Sequence, residues 1–216
     1  MNRAVKAFCL FLLASLLSAV AWAQSAKVDR AGGAPGSMPS EVRAALEDKG
    51  YRVTLDDGWS AELWLVKNLK LTSKDAPGAL YPELSNGEFV GVISLPKGMS
   101  DFRGQSIASG VYTLRYHLIP QDANHMGVSP NPDFLLAIPV ESDSKPDADY
   151  AYEKLVALSS KSTGAHPGVI ALETAGEPGT AAFNDQKLFV LTVSTSGAAG
   201  GKLEKLGIVL KGQAAQ

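Results

Sequence analysis

Between Gln121 and Val140 the chain reads QDANHMGVSPNPDFLLAIPV, which sets the imidazole of His125 among the oxygen-bearing side chains of Asp122, Asn124 and Asp133. Histidine with Asp or Asn oxygens is an acceptable ligand set for a divalent cation, which wants three or more donors converging on one point. A metal-dependent or carboxylate-based hydrolase would use Asp122, His125 and Asp133 of this loop, with His166 of the loop Ser162-Thr163-Gly164-Ala165-His166-Pro167 as an optional further donor. The same residues have a plainer use. Asp and Asn in loops bond to their own backbone, and a histidine can cap an exposed carbonyl. On that reading the stretch is a long connection into a buried strand. The third histidine, His117, alternates with Arg115 along a strand and is expected at the surface or half-buried.

Other chemistries find little footing. The sequence holds no HExxH, no His-x-His pair and no repeated Asp-x-Asp loop. It also lacks the G-x-S-x-G elbow of nucleophilic hydrolases. Ser85-Asn86-Gly87 and the run TSGAAGG, Thr195 to Gly201, lack the lysine and the following helix of a phosphate loop and read as turns. Glu62 with Asp56 or Asp57 suits a hairpin edge better than a glycosidase pair, which needs a cleft between its carboxylates. Trp59 and Trp64 leave a carbohydrate-binding module as a further alternative. An exposed indole would serve as a stacking platform for a sugar, whereas buried indoles would help fill the core.

The N-terminus speaks to location. Arg3 and Lys6 precede an apolar run from Ala7 to Val20 and then Ala21-Trp22-Ala23, the pattern of a secretory signal peptide cleaved after Ala23. The run is shorter than the ~20 residues of a membrane span, so none is expected after processing. Cys9 is the single cysteine and would leave with this segment. A cysteine-free mature chain excludes thiolate catalysis, CxxC redox chemistry and cysteine-ligated zinc. Losing Arg3 and Lys6 also leaves 18 basic against 22 acidic residues, so no basic footprint for nucleic acid is expected.

The elements that must position any site are mostly strands. Residues 24–39 are poor in large apolar side chains and read as a flexible linker before one domain over 40–212. A short helix is expected from Pro39-Ser40-Glu41 towards Gly50, and a second over Tyr150 to Lys161 with Asp149 as N-cap. Period-two alternation predicts a hairpin, Tyr51 to Leu55 and Ala61 to Leu65, around Asp56-Asp57-Gly58. Further strands are expected at Glu88 to Leu95, Val111 to Ile119, Asp133 to Ile138, Gly168 to Glu173, Lys187 to Ser194 and Leu203 to Leu210. In the second of these, Tyr112, Leu114, Tyr116 and Leu118 form one face, opposite a mixed face of Val111, Thr113, Arg115 and His117. The FLLAIP strand is apolar on both faces and should lie centrally, ended by Pro139. Eight short strands with two short helices cannot make regular βαβ units. The expected class is mainly β, an antiparallel β-sandwich of Ig-like or jelly-roll-like form.

The segments LYPELSNGEFVGVI, DFRGQSIASGVYTLRYHLIPQDANHMGVSPNPDFLLAIP and YEKLVALSSKSTGAHPGVIAL resemble exported bacterial β-sandwich proteins of unknown function that share G-x-Y-T-L-R-Y, H-x-G and D-F-L-L runs. The resemblance covers about residues 50 to 210 and implies a fold and an exported location without an activity. If the polar loop matters in that group, it would do so here through Asp122, Asn124, His125 and Asp133. The expectation is therefore a periplasmic or secreted, non-enzymatic binding or envelope-associated module with an envelope or extracellular partner. No cofactor is expected beyond a divalent metal at the loop.

Overall fold

The computed structural model describes residues 26–72, 76–120, 127–195 and 203–213. It is mainly β, with ten strands in one antiparallel sheet nearly closed into a barrel. In chain order these are β1 (Ala26–Ala31), β2 (Gly50–Leu55), β3 (Ser60–Leu65), β4 (Phe89–Leu95), β7 (Gly110–Leu118), β8 (Asp133–Pro139), β9 (Gly168–Glu173), β10 (Thr180–Phe183), β11 (Phe189–Ser194) and β12 (Lys205–Lys211). A two-residue hairpin, β5 (Met99–Ser100) with β6 (Ser106–Ile107), fills the numbering between β4 and β7. Across the sheet the order is β1-β2-β3-β4-β7-β8-β9-β12-β11-β10.

All eight expected strands form, yet their hydrogen bonds run through one sheet in place of the two facing sheets of a sandwich. Period-two alternation says that one face is buried. It does not say whether that face meets a second sheet or curls onto itself. Here the inward residues of β2, β3, β4, β7, β8, β9, β11 and β12, among them Val53, Leu63, Ile93, Leu114, Leu135, Ile170, Leu191 and Ile208, meet in one core. The end strands β1 and β10 meet at the closure, and the strands next to them are joined across it by the Tyr51 hydroxyl of β2, which accepts from the Ser194 amide of β11 at 3.1 Å.

Residues 26–31, expected in a linker, are the strand β1, paired with β2 from Ala26↔Leu55 to Ala31↔Gly50. An edge strand takes its stability from one ladder of backbone bonds and needs few large side chains of its own. Compositional reasoning is blind to that ladder. At the β4 bulge, Gly91 faces the Trp64 carbonyl so closely that a Cβ would collide with it. The close approach accounts for glycine inside an otherwise apolar strand.

The two helices are shorter than their sequence patterns. Helix α1 (Ser40–Ala45) stops where Leu46 turns extended and bridges to Val66. Helix α2 (Tyr152–Ser159) continues as a 3-10 turn through Ser162. Its N-cap is Ala151 without a side-chain bond, not Asp149. Helix α2 lies on the outer face of β8, where Leu155 and Leu158 bury against Phe134, Leu136, Ile138 and Val169. That cover explains why the FLLAIP strand is apolar on both sides: Leu135 and Ala137 point into the barrel, Phe134, Leu136 and Ile138 under the helix.

Connections stopper both ends. At one end the segment between β3 and β4 sends Leu69, Leu71, Tyr81 and Leu84 into the core. At the other, Ile107 of β6 is fully buried in the same cluster. The interior is therefore packed with side chains, as in other small barrels.

Candidate functional site

The residues that the sequence offers as ligands separate in space. Asp133 is fully buried and its carboxylate turns inward: Oδ1 accepts from Leu80 N at 3.1 Å, and Oδ2 accepts from Tyr81 N at 2.8 Å and from the Tyr116 hydroxyl at 3.4 Å. It anchors the segment that closes the barrel end. His166 lies on the opposite side of the sheet, exposed, along the same outer groove that Phe134 and Leu136 line. Adjacent residues on a strand face opposite ways, so Asp133 and Phe134 divide between the interior and the outer wall. Asp133 and His166 consequently do not converge. Asp122, Asn124 and His125 lie outside the described residues, and no cluster of metal ligands occurs among the described ones.

Trp59 and Trp64 are both buried. Trp59 Nε1 donates to Gly98 O at 2.8 Å, and Trp64 Nε1 donates to Gly32 O at 2.8 Å under α1. Neither offers an open face for a sugar, and Lys211 Nζ stands 5.1 Å over the Trp59 ring.

The outer wall beside α2 carries a different feature. A groove of about 590 Å³ runs between the helix and the outer faces of β8 and β9, inside the range of ~300–1,000 Å³ that small-molecule sites occupy. Its walls are Ile119, Val128, Phe134, Leu136, Val156 and Val169. Pro120 and Val128, on either side of the 121–126 stretch, lie at one end. Arg103, Gln105, His166 and Pro167 lie at the other. The register fixes this polarity. Val169 pairs with Leu136, which places Pro167 beside the Ile138 end of β8, while Phe134 and Ile119 belong to the far end.

The polar end is built on one buried carboxylate. Asp101 accepts from Arg103 N at 3.0 Å, Gln105 N at 2.8 Å, Gln105 Nε2 at 2.6 Å and Arg103 Nη2 at 3.2 Å. Arg103 Nη2 also donates to Pro167 O at 2.7 Å, so the guanidinium ties the β5–β6 turn to the loop before β9. Behind the groove, His117 packs 4.6 Å from the Tyr152 ring and 6.2 Å from Phe134. Its Nδ1 lies 2.7 Å from Leu118 O, and because a carbonyl only accepts, the neutral ring carries its proton there. Burial holds the His117 pKa below the ordinary histidine value.

Comparisons with protein-family models, curated proteins and solved structures return no match. The groove must then be judged by its own chemistry.

A larger concavity of about 720 Å³ lies between α1 and the loop after β8. Its charges oppose one another: Lys70 Nζ reaches Asp147 Oδ1 at 2.7 Å, and Glu88 Oε1 accepts from Lys70 N at 3.0 Å. Burial raises the Glu88 pKa. Its apolar residues, Ala45, Val66 and Phe89 among them, are interspersed with Glu41, Lys67, Lys70, Glu88, Lys145 and Asp147, whereas among the described residues the groove beside α2 has Arg103 as its one formally charged residue.

Sequence reasoning missed Arg103, Gln105 and the groove walls, because the groove exists only once α2 lies along β8. One signal was present in the run Asp101-Phe102-Arg103-Gly104-Gln105. Its Asp begins a tight turn and its Gly104 takes a φ of +82°.

Proposed function

We propose that this chain is an exported, non-enzymatic binding protein that seats an apolar ligand in the groove between α2 and the outer faces of β8 and β9. The groove's continuous apolar wall, open to solvent and closed at one end by polar side chains, carries the reading. The filled barrel interior supports it from another side, since a ligand finds no room among the core residues. Hydroxyls near the groove are committed to structure. Ser159 Oγ donates to Ala137 O at 3.0 Å or Gly168 O at 3.1 Å, and Ser162 Oγ donates to Ser159 O at 2.7 Å. Export rests on the basic head, apolar run and Ala21-Trp22-Ala23 of the N-terminus, which call for a mature protein beginning at Gln24.

The test is binding of an environment-sensitive apolar dye to the purified protein, beside Val156→Trp, which fills the groove from the solvent side of the helix. Saturable fluorescence enhancement in the parent, lost in a folded Val156→Trp protein, is the expected result. Enhancement that survives the filled groove would place the dye elsewhere and end this reading.

A further inference from the structure

Resting on the groove as a ligand seat, we infer that its ligand class is a single-chain amphiphile with a carboxylate head, the chain lying along β8 and the head received by Arg103. The two ends of the groove differ in kind. Between Phe134 and Leu136, the two β8 side chains that line it, the strand advances about 7 Å at ~3.3 Å per residue, and Ile119 and Val169 extend the apolar wall on either side. Ile119 and Val128 flank one end, and Arg103, Gln105 and His166 stand at the other.

The charge of Arg103 is paired with Asp101, and it is the free donors of its guanidinium that support an anion at that polar end. Among the described residues Arg103 is the one formally charged residue lining the groove, and no carboxylate lines it. Asp101 is the acid nearest to hand, but it is 1% exposed and takes its four hydrogen bonds from Arg103 and Gln105 within its own turn. Of the Arg103 guanidinium those contacts use Nη2 alone, at Asp101 Oδ2 and Pro167 O. Nε and Nη1 hold no hydrogen bond among the described residues, and the side chain is 26% exposed. The guanidinium is thus fixed on one side and retains donors on the other, an arrangement suited to a carboxylate. His166 brings an imidazole to the same end.

A neutral chain of the same length would gain the apolar contacts without the ionic ones, and this distinction sets the experiment. Decanoate, decanol and acetate are titrated into the purified protein by calorimetry, below micellar concentration, with the parent, Arg103→Gln and Arg103→Lys. Decanoate is expected to bind roughly tenfold or more tightly than decanol, as a charge-assisted contact at a half-buried site requires. Arg103→Gln should remove that preference, read as the ratio of the decanoate and decanol affinities within each protein, Arg103→Lys should keep part of it, and acetate should not bind measurably.

Equal affinity of the parent for decanoate and decanol overturns the carboxylate assignment and leaves the apolar groove standing. Binding of neither chain overturns the groove reading as well. A decanoate preference unchanged in Arg103→Gln overturns the role given to Arg103. Because Arg103 also holds the loop before β9, circular dichroism accompanies each variant. Should Arg103→Gln lose its fold, the parent's decanoate-to-decanol ratio and its retention in Arg103→Lys decide the matter.

Discussion

Arg115 lays its guanidinium flat against the Asp143 carboxylate, Nε to Oδ2 and Nη2 to Oδ1, each at 2.8 Å, with the two side chains 1% and 0% exposed. The remaining donors go to backbone carbonyls: Nη1 to Gly87 at 3.0 Å and Ala148 at 3.1 Å, Nη2 to Lys145 at 2.8 Å. All five N–H groups are thereby used. Thr113 Oγ1 adds a bond to Asp143 Oδ2 at 2.7 Å, and the Phe89 and Tyr150 rings flank the guanidinium at 5.4 and 5.3 Å. This pair pins the connection after β8 to the outer face of β7, and so fixes where α2 begins.

Removing one partner of such a pair leaves a buried charge without its counterion. Asp143→Ala should cost about 3–5 kcal/mol, measured as the loss in unfolding free energy in urea. The double variant Arg115→Met with Asp143→Leu should be far less damaged, because it removes both charges and keeps apolar volume. A single variant within ~1 kcal/mol of the parent would show that water reaches the pair, contrary to its burial.

The strands were legible and their closure was not. Alternation at Tyr112, Leu114 and Tyr116 announces a buried face, and the structure puts all three in the barrel core. Thr113, Arg115 and His117 were expected on a mixed face. All three are buried, because the chain from Val140 to Ser162 folds back over them. A cover supplied from 25 residues or more away leaves no periodic mark on the strand that it covers. The same holds for the groove. Phe134, Leu136 and Val169 read as core residues, and only the placement of α2 makes them a wall. Asp133 was legible as special, but its partners are the Leu80 and Tyr81 amides, more than 50 positions earlier.

His117 predicts an acid-side weakness. Its folded pKa lies below its ordinary value of 6.5, with burial as the first cause, while the Leu118 carbonyl opposes the shift through its bond to Nδ1. The unfolded chain therefore takes up a proton at a pH where the folded chain still refuses it, and stability falls as pH drops below 6.5 until the folded imidazole also titrates. His117→Gln should flatten this part of the profile, read as the parent-minus-variant difference in unfolding free energy across that window. Parallel profiles for the two proteins would mean that the ring protonates equally well in both states.

Tyr81 closes the gap where β9 and β12 pair through only Gly207↔Glu173 and Ile208↔Leu172. Its hydroxyl donates to Glu173 O at 2.7 Å and accepts from Gly207 N at 2.7 Å, so one phenol stands in for the next rung of the ladder. Tyr81→Phe keeps the ring and strands a buried amide, a loss of about 1–3 kcal/mol at neutral pH by urea unfolding. The phenol also carries a pH signature. Burial, opposed by the Gly207 bond, pushes its pKa up to about 12 from 10.0. The unfolded chain ionises first, so this residue's contribution is intact below pH 10 and is lost as pH rises towards 12. Phenylalanine has no such proton to lose. The gap in stability between parent and variant should therefore narrow on the alkaline side, and a gap that stays constant there would show the phenol to be solvated and the bridge between β9 and β12 to be open.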